Sequence, residues 1–271
     1  MEGGNGWKRI AEGNTSEIFD IGLNKILKLF KGGIPFEVCV REFENTSVAR
    51  DLLQKVPEPL EVIEVDGKYG IVYEKVTGTN MLEGMLSHIW TVRKQSRNLA
   101  RYHTDIQKNV TGKLETVKEK LKRDILAADL LDAEEKSRIL GYMGTLPDGD
   151  ILCHFDFHPG NIMIRENNPV IIDWMTACMG DKGADVARTG IMLKYGEVPR
   201  SSRLIQMISH AVQNDIYKVY SKEYKRITGI EHQDIDKWEL PIAAGRLHEW
   251  LTKKEKTVLL AFVKCKLAEL P

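Results

Sequence analysis

Little in this sequence biases it toward a specialised class of protein. Only four cysteines occur in 271 residues, at positions 39, 153, 178 and 265. They form no Cys-x-x-Cys pair, so nothing suggests a disulfide framework or a cysteine zinc site, and reduced thiols in a cytoplasmic protein are the expectation. Charge of one sign is not in excess: Lys plus Arg and Asp plus Glu number 39 each. That balance argues against bulk electrostatic binding to nucleic acid or to an anionic membrane. No apolar run approaches the roughly 18 residues of a membrane span, and the first residues lack the apolar stretch of a signal peptide. No internal repeat and no low-complexity tract occurs. The chain is therefore expected in the cytoplasm, without nucleic-acid or membrane partners. Its oligomeric state is not indicated.

What is present describes an ordinary globular chain, 42% hydrophobic and 29% charged. Its length allows one large domain or two modest ones sharing an interface. Trp7 to Ala11, Glu17 to Ile21 and Lys25 to Phe30 read as short strands separated by turn residues. A helical pattern runs from Phe36 to Leu53, ending before Pro57 and Pro59, and two strand-like runs follow, Leu60 to Val65 and Tyr69 to Val76. After Gly78 the chain turns amphipathic and helical, with Leu86 to Ile106 and Leu114 to Leu126 as examples. An island of short strands lies between Ile151 and Trp174, and from Ala184 onward the pattern is helical, punctuated by Pro199, Gly229 and Pro241. The expected fold is α+β and bilobal, with a β-rich lobe over 1–77, a mainly helical lobe over 78–271 and a ligand cleft between them.

The chemistry concentrates in Cys153-His154-Phe155-Asp156-Phe157-His158-Pro159-Gly160-Asn161 and the residues that follow it. Ile162 to Arg165 and Val170 to Ile172 are β-branched runs around Glu166-Asn167-Asn168-Pro169, a turn composition. A hairpin centred near Asn167 would set Asn161 opposite Asp173. An amide oxygen and a carboxylate would then meet at its open end, as hard ligands for Mg²⁺. Asp156 lies on a loop bent by Pro159-Gly160 and can face the same point. The rival is a metallohydrolase with zinc on His154, Asp156 and His158. It lacks further ligands, because the other histidines show no ligand spacing.

His-x-Asp-x-x-x-x-Asn followed by a strand-terminal Asp resembles the eukaryotic kinase catalytic loop and its metal-binding Asp. The details resemble the aminoglycoside phosphotransferase and choline kinase family instead. That family typically has His-Gly-Asp-x-His-Pro-x-Asn and then Ile-Asp-Trp or Ile-Asp-Phe, and here Phe155 stands in the Gly position. Asp173 is followed by Trp174-Met175 rather than Phe-Gly, and no Ala-Pro-Glu follows. The resemblance extends over most of the chain, including Leu99 to His103 and Gly180 to Ala187. It implies a protein-kinase-like fold and transfer of the γ-phosphoryl group of ATP or GTP to a small-molecule hydroxyl, with Mg²⁺. The acceptor hydroxyl would belong to a compound of aminoglycoside, amino-alcohol or sugar type. It assigns Asp156 to the acceptor hydroxyl, Asn161 and Asp173 to the metal, and Lys28 to the nucleotide phosphates. Lys25 and Lys28 point to opposite strand faces, so Lys25 becomes the solvated one. Either Glu42 or Glu44 could brace Lys28; Glu42 is preferred because it shares a helix face with Val38.

By the same resemblance, backbone amides of Thr15 and Ser16 would cap a phosphate. The Glu74 carbonyl and the Val76 amide would bind the base, and Tyr73 would gate the base pocket; a bulky residue there accompanies GTP use in some relatives. His154 would support the loop, and His158 is open between loop support and a phosphate contact. Asp185 would either brace the catalytic loop or cap the following helix. Two features could serve the acceptor: the acidic and aromatic stretch Glu231, Asp234, Asp236, Trp238 and Glu239, and His248-Glu249-Trp250. Each also has an ordinary reading, as a solvated loop and as a packed helix face. The alternative function is a catalytically degenerate, nucleotide-binding regulatory module, which would normally have lost one of the Asp, metal-ligand or Lys positions. All of them are present.

Overall fold

The computed structural model describes residues 6–13, 15–111, 114–196 and 203–270, with the backbone alone for 203–210. Ten strands are present among these residues: β1 (Lys8–Glu12), β2 (Ser16–Gly22), β3 (Lys25–Phe30), β4 (Pro59–Val65), β5 (Lys68–Glu74), β6 (Thr79–Asn80), β7 (Ile151–Cys153), β8 (Ile162–Arg165), β9 (Asn168–Ile171) and β10 (Cys178–Gly180). The α-helices are α1 (Phe36–Leu52), α2 (Met81–Ser87), α3 (Val92–Ile106), α4 (Val117–Leu126), α5 (Ala133–Gly144), α6 (Lys182–Tyr195), α7 (Arg203–Thr228), α8 (His232–Asp236), α9 (Glu239–Arg246) and α10 (Lys253–Ala268). The chain divides into two compact units. One is the chain up to Gly84 together with Gly160–Thr176; the other is Met85–Pro159 together with Ala177 onward. The sequence boundary at 77/78 therefore differs chiefly in the segment 160–176, which packs with the first unit.

In the first unit β1-β2-β3-β5-β4 form an antiparallel sheet, and β6-β8-β9 form a second small one. Alternation assigns its two faces. Leu27, Leu29, Phe19 and Val72 bury on one side. Phe30, Ile71 and Tyr73 bury on the other, against Cys39, Val38 and Phe43 of α1. Each fully buried side chain of this kind contributes ~1.5–3 kcal/mol of hydrophobic stabilisation. Lys28 lies one residue from Leu27 and Leu29, so parity sends it to the α1 face. Gly70 on β5 is needed here, because a Cβ would sit 2.9 Å from the Lys28 carbonyl oxygen.

Three two-residue loops close hairpins with both central residues at positive φ: Leu23-Asn24, Asp66-Gly67 and Glu166-Asn167. This is the geometry that matches strand twist. The last of them corrects the expected hairpin. Arg165 pairs with Asn168 and Ile162 with Ile171, so the turn is Glu166-Asn167 rather than four residues long. The register is thus one residue off the mirror predicted from sequence. Asn161 faces Ile172, whose amide donates to the Asn161 carbonyl at 3.0 Å, and Asp173 lies one residue further.

In the second unit α3 packs along α7, and α9 is flanked by α4, α5, α6 and α10. The single helix expected over Leu86 to Ile106 is two, α2 and α3, separated by a short 3₁₀ turn at Ile89–Thr91. Helix α5 has no counterpart in the sequence reading, although Asp132 and Glu135 form a capping box at its start. Pro241 does not punctuate: it sits in the first turn of α9, where the missing N–H has no intrahelical acceptor to lose. Gly229, at φ 70°, does end α7. Pro199 lies outside the described residues. Cys39, Cys153 and Cys178 are buried free thiols and Cys265 is exposed. Among the described residues no helix is long and apolar enough to cross a membrane.

Candidate active site

The first unit brings three of the sequence-selected residues together. Lys28 donates to both carboxylate oxygens of Glu42, at 2.7 and 2.9 Å, and to Asp173 Oδ1 at 3.0 Å. Glu42 is 1% exposed on the inner face of α1, whereas Glu44 is exposed, so the helix-face choice between them holds. The Tyr73 hydroxyl donates to Glu42 Oε1 at 3.0 Å, with Thr46 Oγ1 3.5 Å from it. Tyr73 thus turns inward onto the ion pair. Burial works to lower the Lys28 pKa, but the charges of Asp173 and Glu42 outweigh it, and the ammonium is held well above its usual range. Burial raises the Glu42 carboxyl, and Lys28 and the Tyr73 hydroxyl pull against that rise.

Asp173 is oriented by its backbone. It adopts φ 66°, a left-handed conformation that Asp tolerates better than most residues. The next two carbonyls, of Trp174 and Met175, accept from Asn45 Nδ2 of α1 at 3.3 Å each. The indole of Trp174 donates to the Ile171 carbonyl at 3.0 Å. Asn161 is almost fully buried just before β8, and Asn80 Nδ2 donates to the preceding Gly160 carbonyl at 2.6 Å. One amide oxygen and one carboxylate are hard donors of the kind Mg²⁺ takes, so the residues present fit that ion.

The remaining nucleotide candidates are placed by strand ends. Gly13 donates to the Ser16 carbonyl at 2.8 Å and Lys31 to the Thr15 carbonyl at 2.8 Å, which fixes the turn before β2. Asn14 of that turn lies outside the described residues. Glu74 ends β5 opposite Lys25 and its carboxylate meets Arg165 at 3.4 Å. Val76 follows in irregular, half-buried chain.

In the second unit the loop after β7 is held through its backbone by one helix. Asp185 of α6 accepts from the His154 amide at 3.1 Å and the Phe155 amide at 2.9 Å. Three and four residues on, Arg188 Nε donates to the Phe155 carbonyl and Thr189 Oγ1 to the Phe157 carbonyl, the latter at 3.0 Å. Residues at this spacing share a helix face. Asp185 is therefore a loop brace and not a helix cap; the cap of α6 is Asp181, which accepts from the Gly183 amide at 2.7 Å. Asp185 is itself held by His103 Nε2 at 2.8 Å, and the His103 ring stacks on Phe157 with centroids 4.3 Å apart.

Within that loop Asp156 is about one third exposed, its side chain at 31%, with His158 Nε2 3.7 Å from its Oδ2. Burial raises its pKa, but the His158 hydrogen bond and charge, then Arg188 and His154, override this and hold the carboxyl well below the usual carboxylate range. Asp156 is accordingly an anion at any physiological pH. His154 is buried, and its Nδ1 accepts from the Asp156 amide at 3.2 Å, the loop-supporting place expected for it.

Two expectations are corrected. The acidic and aromatic stretch is not a pocket: Trp238 is buried, with its Nε1 donating to Asp181 at 3.1 Å, and Lys194, Lys237 and Lys225 pair with Glu239, Asp234 and Glu231. Packing of the indole wins over the surface reading. His248 to Trp250 is not a packed helix face either, for it follows α9 as a turn, with His248 and Trp250 exposed. Glu249 instead meets Arg188 at 2.7 Å and Arg246 at 3.4 Å. The zinc alternative loses support, since among the described residues no group of three or more His, Cys, Asp or Glu could hold a metal ion. Sequence reasoning missed Arg188 and Thr189, although their spacing from Asp185 was a readable signal.

A Lys–Glu pair between an antiparallel strand and its packed helix, a hairpin ending in Asp, and a helix-braced His-x-Asp loop define a kinase-like phosphotransferase. The comparisons agree at the level of family and fold. The model of the phosphotransferase enzyme family matches residues 6–221, and the chain belongs to that family. It is an enzyme of the kinase class. No curated protein sequence matches significantly. Solved structures do. A putative fructosamine-3-kinase from Haemophilus somnus has TM-score 0.60 at 10% identity, over 97% of this chain and 90% of that one. An aminoglycoside-3'-phosphotransferase of type VIII has TM-score 0.56 at 18% identity, over 88% and 93%. The streptomycin–ATP–APH(2'')-IIa ternary complex has TM-score 0.56 at 14% identity, over 97% and 91%. These likenesses carry the fold and leave donor and acceptor to the chemistry of the site.

Proposed function

We propose that this enzyme transfers the γ-phosphoryl group of ATP, or of GTP, to a hydroxyl of a small molecule of aminoglycoside, amino-alcohol or sugar type. The observation that carries the reading is Lys28, buried and charged between Glu42 and Asp173. A buried ammonium bridging two carboxylates is costly to maintain for stability alone. It is economical where one of its contacts is to be exchanged for phosphate oxygens.

In this reading Lys28 keeps Glu42 and gives up Asp173 to bind the nucleotide phosphates. Thr15 and Ser16 cover the phosphates with backbone amides, and the Glu74 carbonyl and Val76 amide hold the base. Asn161 and Asp173 would hold Mg²⁺, which when bound neutralises charge on the phosphates. Asp156 accepts a hydrogen bond from the acceptor hydroxyl, aligns it with the phosphorus and takes its proton as the bond to oxygen forms, while the bond to the β–γ bridging oxygen breaks and the nucleoside diphosphate leaves. Its depressed pKa makes Asp156 a weak base before transfer and a steady orienting anion. That suits a loose transition state, in which the hydroxyl loses its proton late.

The test is turnover of Mg·ATP and Mg·GTP against a panel of hydroxyl compounds, read by product mass, in the parent and in Asp156→Asn. The expected result is a product heavier by one phosphoryl group, with kcat in the variant lowered at least ~10²-fold and nucleotide affinity little changed. Nucleotide binding without any phosphorylated product, and no effect of Asp156→Asn on hydrolysis, would favour the regulatory module instead.

A further inference from the structure

Phe155, the residue before Asp156, has φ 63°, although it is neither glycine nor a short polar residue. A side chain with a Cβ costs ~1–2 kcal/mol in the left-handed region. Such a conformation persists only where its surroundings over-determine it. Its ring is fully buried, so the strain is not relieved by moving outward. Three contacts from two side chains fix this residue: the amide is bound by Asp185, the carbonyl by Arg188 Nε, and the ring by the same Arg188 guanidinium, 5.0 Å from its centroid. Asp185 also serves His154, but Arg188 holds Phe155 from two sides.

Arg188 is in turn immobilised. It is 4% exposed, and its Nη1 meets Glu249 at 2.7 Å on the turn after α9. Glu249 reaches Arg246 at 3.4 Å, and Arg246 reaches Glu255 of α10 at 2.9 Å. A guanidinium desolvated to this degree requires such partners. The alternating chain ends on the backbone of the residue that precedes the proposed acceptor-binding carboxylate.

We propose that Arg188 is a positioning residue for phosphoryl transfer: backed by Glu249, it locks the Phe155 peptide in the left-handed turn that aims Asp156. The inference rests on the role proposed above for Asp156. It adds that this chain, with a phenylalanine where a glycine would adopt the turn unaided, depends on Arg188 to do so.

The experiment uses the whole chain with Mg·ATP, and water as the acceptor. Hydrolysis rate, Mg·ATP affinity by calorimetry, melting temperature and amide hydrogen exchange at residues 154–157 are measured for the parent, Arg188→Met and Arg188→Lys. Arg188→Met should speed exchange in the loop and lower kcat ~10- to 10²-fold, the scale of a small misplacement of a reacting group. Mg·ATP affinity should stay within about twofold, because binding and aim are separate functions. Arg188→Lys should recover part of both losses. Adding Phe155→Gly to Arg188→Met should raise kcat again, even at a lower melting temperature, since glycine takes φ 63° without help. If Arg188→Met folds poorly, Glu249→Gln should show the same changes at smaller size.

The proposal is overturned if loop exchange is unchanged in Arg188→Met. It is also overturned if kcat, affinity and melting temperature fall together without rescue by Phe155→Gly. Exchange in the loop reports holding by Arg188 whether or not the parent hydrolyses Mg·ATP. An inactive parent with normal exchange contrasts would therefore count against the kinase reading and not against the clamp.

Discussion

The two units secure their candidate residues in opposite ways. In the first, side chain is tied to side chain: Lys28, Glu42 and Tyr73 form a buried polar cluster on the inner face of a sheet, and the partly exposed Asp173 joins it through Lys28. In the second, Asp156 is held chiefly through the main chain around it, by Asp185, Arg188 and Thr189 on one face of α6. The first arrangement fixes charges, which on the proposed function change partners when nucleotide binds. The second fixes a shape. A nucleotide site that must exchange an ion pair for phosphate suits the former, and a carboxylate that must point one way suits the latter.

The largest effect that would break this contrast is expected at Lys28. Lys28→Met leaves Glu42 buried beside Tyr73 without its cation, which should cost ~3–5 kcal/mol of stability at neutral pH. Burial raises the Glu42 carboxyl, so the orphaned group binds a proton more readily when folded than when unfolded. Its stability is then greater at low pH and is lost as pH rises. Thermal melts of the variant should show a smaller deficit near pH 5 than near pH 8. A deficit independent of pH would mean that the pair is not electrostatically coupled.

Asp173→Ala should separate charge exchange from stability. It removes one charge-assisted contact and, on the proposed function, one metal ligand, so Mg²⁺-dependent nucleotide binding should weaken at least about tenfold. The Lys28–Glu42 pair survives and Asp173 is 37% exposed, so the melting temperature should shift by no more than ~1 kcal/mol of stability implies. Calorimetric titration with and without Mg²⁺, beside a melting curve, checks both halves. The smallest effect is expected at His158, whose hydrogen bond and charge lower the Asp156 carboxyl more than any other neighbour. His158→Asn should let that pKa rise, moving the acid limb of the kcat profile to higher pH while leaving the maximum nearly unchanged. An acid limb that stays in place would assign the depression to Arg188 instead.

The contrast also explains what the sequence disclosed. Side-chain chemistry is written in residue types, so Lys28 could be separated from Lys25 by strand parity and Glu42 from Glu44 by helix face. Both distinctions reappear in the structure as burial and pairing. Main-chain holding is less legible, because the groups held are present in every residue. Asp185 stood out only by resemblance, and Arg188 and Thr189 passed unnoticed in Asp185-Val186-Ala187-Arg188-Thr189. The hairpin was recognised but misregistered by one residue. A Glu-Asn pair is a weak signal for a two-residue turn compared with Asn-Gly, and Pro169 appeared to belong to the loop. It lies instead in β9, the edge strand of its sheet. Trp238 stays open in the sequence between an acceptor contact and a solvated loop, because an indole among acids resembles a surface residue until its burial is known.

The order of segments along the chain has a consequence for recombining this protein with its relatives. The loop at 154–157 and its holder at 185–189 belong to one compact unit, yet Gly160–Thr176, inserted between them in sequence, belongs to the other. A crossover placed anywhere within that insertion would join one parent's loop to another parent's helix. Phe155 would then arrive without Arg188, or Arg188 would arrive facing a residue that does not need it. Chimeras should therefore tolerate exchange of 160–176 as a cassette with two breakpoints far better than a single breakpoint inside it.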